Sequence, residues 1–455
     1  AIMAVFGETA SGIHIGLLLV NAASILFVYL LGRRWLGETA GLAGSAAYAL
    51  LTISPSVYGS QAHATHFVVL AALGGTLQLM QGLDQRRWQA LVWSGVLYGI
   101  AILMKQHGVF FAIFGMAYLG WDHFAGRREW RLTVVQKLAL LAGGVLAPLT
   151  LTFFWLWAAG VFGRFWFWTF TYAREYVTNL PFSIGMSAFA FGFPAAVGSN
   201  VGIWLVALVG LVLLWVHRRT AAISMTGFLV FSFLAVCPGL YFRPHYFVLM
   251  LPAVAFLSGA ALEIARDRWR GFPWPIWLGC AVLLLSTYQQ REFLFQLTPT
   301  DASRAMYGSS PFPEAIEIAG YIQKHSAKNS SIGILGSEPE IPFYAGRHLA
   351  GGFMYMHPMM EHQPYALAMQ KEFTRDLEAV PPEYMVLVVM GTSWGATPES
   401  YGEVLNWWKR YQPQRYKVVG VADIGDSHTE YRWDNFGVYQ PKSSSYILVY
   451  KKRDS

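Results

Sequence analysis

Charge is scarce in this sequence. Only 13% of its 455 residues are Asp, Glu, Lys or Arg, where a soluble globular chain carries about 25%. That deficit, set beside 55% hydrophobic residues, excludes an ordinary water-soluble fold and argues for burial in lipid. Cysteine is nearly absent. Cys237 and Cys280 each stand within an apolar run, which excludes a disulfide framework and a thiolate metal centre. No internal repeat and no low-complexity tract is visible. The opening AIMAVFGETAS lacks the anatomy of a secretory signal peptide. It starts at Ala1 and reads as the tail of a loop, so one further helix upstream is expected. The net charge of +7 does not mark a nucleic-acid partner, because the basic residues lie in short breaks and in a polar tail.

What the sequence holds instead is a succession of apolar runs. A bilayer core about 30 Å thick needs roughly 20 apolar residues per helix. Ten transmembrane helices are expected, at 12–32, 36–56, 62–82, 88–104, 107–121, 138–160, 199–216, 223–240, 246–264 and 272–289. The breaks between them alternate in charge. One set holds Arg33 and Arg34, Arg86 and Arg87, Arg127, Arg128, Arg131 and Lys137, Arg218 and Arg219, and Arg266, Arg268 and Arg270. The other holds Lys105, Arg164, Arg174 and Arg243. Thirteen against four places the basic set in the cytoplasm by the positive-inside rule. The long break at 161–198 is dense in aromatics, which suits a helix lying in the interface or a wall over a lipid-substrate cavity.

Residues 290–455 change character, with normal polarity and 16 Lys/Arg. SIGILG (331–336), YMVLVV (384–389), YKVVGVADI (416–424) and SYILVYKK (445–452) read as strands. Helical patterns occupy 313–325, 364–379 and 399–411. The fold class is thus an α-helical polytopic membrane domain over 1–289, followed by a small extracytoplasmic α/β domain over 290–455.

The outer ends of the spans collect the reactive side chains. YGSQAHATH (58–66) carries Gln61, His63 and His66; MKQHG (104–108) carries Lys105, Gln106 and His107; YFRPHYF (241–247) carries Arg243, His245 and Tyr246. Ionisable groups at membrane depth are costly and face cavities, so each is a candidate site residue. Lys, Arg and several His at one face suit an anionic headgroup, for which Arg offers a planar fork. The bland alternative for Lys105 and Arg243 is snorkelling to the interface. His63 and His66, at i and i+3 of one helix, leave a divalent metal open, though no carboxylate accompanies them. His14 reads as packing at the interface. Carboxylates are nearly missing from this face: Glu8 and Glu175 are the candidates for a general base before the tail, and Glu175 beside Arg174 reads as an ion pair.

Three stretches resemble the polytopic GT-C glycosyltransferases, in their protein-mannosyltransferase-like branch, glycosyltransferase family 39. They are LLLVNAASILFVYLLGRRWLGETAGLAGSAAYALL (17–51), GIAILMKQHGVFF (99–111) and YFRPHYFVLMLPAVAFLSGAAL (241–262). The tail stretches SEPEIPFYAGR (337–347) and YMVLVVMGTSW (384–394) look like the extracytoplasmic domain of bacterial members. The resemblance implies transfer of a sugar from a polyprenyl-phosphate donor to an acceptor hydroxyl on a glycan, lipid or protein, outside the inner membrane and with inversion. It implies donor-phosphate contacts from Lys105, Arg243 and His245, with Gln61, His63, His66, Gln106, His107 and Tyr246 lining the cavity. The family's catalytic carboxylate lies in the first outer loop, of which Glu8 alone is present here.

A polytopic lipid or polysaccharide flippase and a non-catalytic membrane scaffold are the competing classes. A flippase calls for polar groups at mid-membrane depth and paired halves. A scaffold needs no converging basic rim. In the tail, Trp394, Trp407 and Trp408 are expected to be exposed and to help select the acceptor.

Overall fold

A computed structural model describes residues 2–126, 130–178, 180–269, 272–425, 428–434 and 439–453, with Tyr176 by its backbone alone. Arg127, Arg128 and Arg270 of the basic breaks lie outside the described residues. The chain divides into two compact units, Ala1–Gln296 and Leu297–Ser455.

The first unit is helical and integral to the membrane. Among the described residues, six helices are long and apolar enough to cross a bilayer by length and composition: Ala10–Leu36, Ala64–Gln85, Val134–Ala158, Phe182–His217, Arg219–Val236 and Pro244–Arg268. The expected spans at 36–56, 88–104, 107–121 and 272–289 are shorter helices, Glu38–Thr52, Trp88–Met104, Val109–Phe124 and Trp274–Gln289. Helix ends follow local chemistry. Thr133 and Gln136 form a reciprocal capping box that starts Val134–Ala158. Arg86 closes Ala64–Gln85 in a left-handed conformation.

Packing rests on small residues. A Cβ on Gly144 would stand 3.0 Å from Gly95 Cα and run into the Val92 carbonyl, so Val134–Ala158 and Trp88–Met104 meet backbone to backbone. The helix Pro244–Arg268 is the centre of the unit, 94% of its apolar window being buried. Its basic end is pinned by polar contacts. Glu263 accepts from the Ala40 N–H at 3.0 Å, and Arg218 donates to Asp267 and to the Leu36 carbonyl at 2.5 and 2.6 Å. Lys137, counted among the loop cations, is instead fully buried, with its Nζ 3.5 Å from His123 Nδ1.

The aromatic break at 161–198 corrects the expectation of a single interface helix. It folds as Phe162–Trp166, a π turn Phe167–Tyr172, Ala173–Thr178 and then a full helix, Phe182–Val197. That last helix runs on into Val201–His217 through Gly198, whose φ of +45° bends the chain where a Cβ would strike Ser56. Runs such as SAFAFGF are apolar on every side, which suits a lipid-embedded helix better than a surface one.

The second unit is an α/β domain with a six-stranded sheet of order β2-β1-β3-β6-β4-β5. The strands are β1 (Ser331–Leu335), β2 (His348–Leu349), β3 (Tyr384–Val389), β4 (Tyr416–Ile424), β5 (Thr429–Trp433) and β6 (Tyr446–Lys452). β1 runs parallel to both β2 and β3, and the remaining pairs are antiparallel. Helices Phe312–Lys324, Ala366–Ala379 and Glu403–Arg415 accompany it. Trp394, Trp407 and Trp408 are not exposed: they are 8%, 6% and 5% accessible. Their polar edges are used inside the domain, Trp394 Nε1 donating to the Val388 carbonyl and Trp407 Nε1 to Glu378, both at 2.7 Å. They hold the tail together, as large aromatics with one satisfied N–H do.

Candidate functional site

The end of the membrane unit opposite the basic breaks brings three separate turns together. Lys105 leaves the helix Trp88–Met104 in an extended conformation and is followed by a short 3-10 turn, Gln106–Gly108. Arg243 is likewise extended, just before the 3-10 turn Pro244–Met250. Its neighbours Leu240 and Phe242 take positive φ values of 56° and 43°. Such conformations cost non-glycine residues about 1 kcal/mol or more and persist where surrounding structure enforces them. The third turn is 58–63, which ends at His63, the residue preceding Ala64–Gln85.

The side chains of these turns meet. Lys105 Nζ sits 3.7 Å from the centre of the Tyr246 ring, a cation–π contact. His63 and His245 stack, with centroids 4.1 Å apart and planes 12° from parallel. His245 and His107 each meet the Tyr246 ring edge to face, at 4.8 and 5.1 Å. His107 Nδ1 is 2.6 Å from the Ala235 carbonyl, so the ring's proton lies on Nδ1 and Nε2 is an acceptor. His63, Lys105, Arg243 and His107 all stand near enough to His245 to act on it electrostatically. Among the described residues, no Asp or Glu forms an ion pair with Lys105 or Arg243. Two cations among imidazoles, with no described carboxylate paired to them, have the chemistry to hold an anion.

The remaining candidates take different places. Tyr246 is buried within the cluster, and Gln61 is half-buried on the 58–63 turn, donating to Ser60 at 3.4 Å. His66 lies one turn inside its helix, fully buried, with neither ring nitrogen partnered among the described residues. His63 precedes that helix, so the pair does not share a helical face as the i, i+3 spacing predicts. No three of His, Cys, Asp and Glu converge to hold a metal among the described residues. Gln106 is exposed and donates to the Thr169 carbonyl at 2.6 Å, tying the aromatic segment to the lysine turn. His14 is exposed on Ala10–Leu36.

The two carboxylates separate. Glu8 is exposed, just before Ala10–Leu36. Glu175 is half-buried on Ala173–Thr178, whose Val177 lies beside Gly239 in the turn leading to Arg243. Among the described residues, no ion pair joins Glu175 to Arg174, so that expectation fails. Two carboxylates outside the expected set stand in the tail unit. Glu338 and Glu340 follow the carboxyl end of β1, and burial pushes each up to about 7. The signal was present as acidic residues in the turn directly after a buried parallel strand, the position where α/β sheets place functional groups.

These features define a polytopic helical membrane protein with a C-terminal α/β unit. The family described as dolichyl-phosphate-mannose-protein mannosyltransferase matches residues 1–157. A comparison with curated proteins finds no match. Among solved structures, the apo oligosaccharyltransferase of Archaeoglobus fulgidus is similar over 96% of this chain, with 12% identity and a TM-score of 0.52. The chain spans 65% of that protein's length. ArnT from Cupriavidus metallidurans is similar over 98% of this chain and 85% of its own. Its apo form shares 15% identity with a TM-score of 0.56, and its form bound to undecaprenyl phosphate 16% and 0.53. At these identities the likeness is one of fold.

Proposed function

We propose that this protein is an inverting membrane glycosyltransferase that moves a sugar from a polyprenyl-phosphate-linked donor to an acceptor hydroxyl. The reading places transfer at the extracytoplasmic face of the bacterial inner membrane, with the C-terminal α/β unit on that same side. The observation that carries it is the cluster of Lys105, Arg243, His63, His107 and His245, cationic and without a carboxylate partner among the described residues. ArnT, which shares the fold, is known in a form bound to undecaprenyl phosphate.

In this reading Lys105 and Arg243 hold the donor phosphate, and His245 donates a hydrogen bond to it. The acceptor oxygen attacks the anomeric carbon, the bond from that carbon to the phosphate oxygen breaks, and the lipid phosphate leaves with the electron pair. The two cations offset the charge that grows on the leaving phosphate. The acceptor proton passes to a carboxylate. Glu175 is better placed than Glu8, because its segment is bridged to the lysine turn and packs beside the arginine turn.

The test is transfer from a radiolabelled polyprenyl-phosphate sugar by membranes containing the protein, wild type against Lys105→Ala and Arg243→Ala. Each cation removed is expected to lower kcat/KM by roughly ten- to a hundred-fold, the worth of one charge-assisted contact. Transfer unchanged in both folded variants sinks the site assignment. Absence of transfer with every donor, accompanied by movement of the lipid across the bilayer, would select the flippase instead.

A further inference from the structure

The tail unit holds a cleft of about 1010 Å³ at the end of its sheet where β4 and β5 turn. One wall is the helix Pro299–Tyr307 with the turn that follows it. The other is the hairpin end of β4 and β5 and the segment leading into β6. We infer that this cleft binds a neutral saccharide. The site lies within the tail unit and does not rest on the cluster of the membrane unit.

The charges on its walls cancel. Asp301 and Glu314 stand against Arg304 and Lys442. Arg304 donates to Glu314 and, at 3.0 Å, to the Ser310 carbonyl, and Lys442 Nζ lies 3.7 Å from Glu430 Oε2. An anion or a metal ion finds no surplus of opposite charge here. What the cleft offers instead is hydroxyl groups. Those of Thr300, Ser309, Ser444 and Ser445 make no hydrogen bond among the described residues. A hydroxyl both donates and accepts, so the complementary ligand does both without carrying net charge. A sugar does. A peptide main chain does too, but its side chains call for apolar pockets, and the apolar side chains of this wall are Pro313, Ile424 and Tyr431.

Tyr431 supplies the flat surface that the C–H face of a pyranose requires. It is the last of three near-parallel rings: Tyr321 and Trp433 stack at 4.3 Å and 8°, and Trp433 and Tyr431 at 6.3 Å and 17°. Of the three, Tyr431 is the one that lines the cleft. The walls are also set in advance. Glu314 accepts from Thr429 Oγ1 as well as from Arg304, which ties two helices and β5 at one carboxylate. Asp423 accepts from the N–H groups of Lys442 and Ser443 at 2.7 and 3.0 Å and fixes the opposite side. Rigid walls lower the ordering cost that a sugar's hydrogen bonds must offset.

The test uses the full chain in amphipol, free of sugar-based detergent. It is applied to an array of neutral gluco-, manno-, galacto- and N-acetylglucosamine tetrasaccharides, a tetragalacturonate and a Ser/Gly octapeptide, and hits are titrated by calorimetry. At least one neutral tetrasaccharide is expected to bind. Tyr431→Ala is expected to weaken it roughly ten-fold, and Tyr431→Phe to retain it, as loss of a stacking ring predicts. Arg432→Ala, on the opposite face of β5 by strand alternation and outside the cleft, is expected to leave binding intact. Thr300→Trp fills the cleft from an exposed position; it is expected to abolish binding and serves should Tyr431→Ala be poorly folded. Binding confined to the uronate or to the peptide overturns the proposal. So does the absence of any neutral hit, or a hit held equally by wild type and Thr300→Trp.

Discussion

Replacing Glu338 by Gln is expected to make the tail unit more stable at alkaline pH and to leave it unchanged at pH 5. Glu338 is 4% accessible, and its Oε2 accepts from the Ser337 N–H at 2.6 Å and from Ser393 Oγ at 2.9 Å. Burial raises its pKa from 4.5 to about 7, against the pull of those two hydrogen bonds. Glu340 is raised to about 7 as well, by burial and by the charge of Glu338. The sign follows from proton binding. Between pH 4.5 and 7 the folded unit retains protons that the unfolded chain has released. Stability is therefore full below about pH 4.5, declines as pH rises to about 7, and stays lowered above it. At about 1.4 kcal/mol per pH unit, one such carboxylate costs the folded unit up to roughly 3 kcal/mol at pH 8. The amide keeps an oxygen for Ser337 and carries no charge to desolvate. Hydrogen exchange at β1 and β3 of the full chain in detergent, corrected for intrinsic rates, reads the effect. Wild-type protection should fall roughly 10- to 100-fold more than that of Glu338→Gln between pH 5 and pH 8. Identical pH profiles for the two proteins would refute the reasoning.

Two further substitutions test packing. Gly144→Ala is expected to destabilise the membrane unit by about 1–3 kcal/mol through overpacking, read by thermal unfolding in detergent. Gly143→Ala next to it, where a Cβ meets nothing within 4 Å, should be near neutral. Trp407→Phe, which deletes the N–H bonded to Glu378 at 2.7 Å, should lower tail stability by about 1 kcal/mol and leave acceptor choice unaltered. A changed acceptor preference at unchanged stability would restore the surface role that burial removes.

Membrane helices were legible because the bilayer imposes a length and a polarity that few other settings impose. The charged breaks 33–34, 86–87 and 218–219 mark ends of real helices to within a few residues. In the 161–198 break the aromatic density is common to interfacial helices and to lipid-facing ones. Only the continuation of Phe182–Val197 into Val201–His217 separates the two. In the tail, β1, β3, β4 and β6 were visible as continuous apolar runs. β2 has two residues and owes its existence to pairing with β1. β5, TEYRW, is polar enough to pass for a loop, and it is held by its antiparallel register with β4. The three tryptophans carry a related ambiguity. A Trp in a polar stretch looks exposed until its N–H partner, here Glu378 or the Val388 carbonyl, is known.

At the rim, the sequence located the turns and could not supply their convergence. Lys105 and Arg243 are 138 positions apart in the chain, and nothing local says that they share His245 as a neighbour. What the pattern could say was that cations stand where few others do. The structure adds that no described carboxylate neutralises them and that strained residues flank Arg243. Those facts bear on function differently. A structural cation at membrane depth is normally stabilised by a carboxylate or by carbonyls, because leaving it bare is expensive. A cluster that keeps two cations and three imidazoles together without such a partner stays costly until an anion arrives. In the proposed reading, binding that anion relieves the repulsion, so the arrangement that weakens the empty fold would strengthen the hold on a departing phosphate.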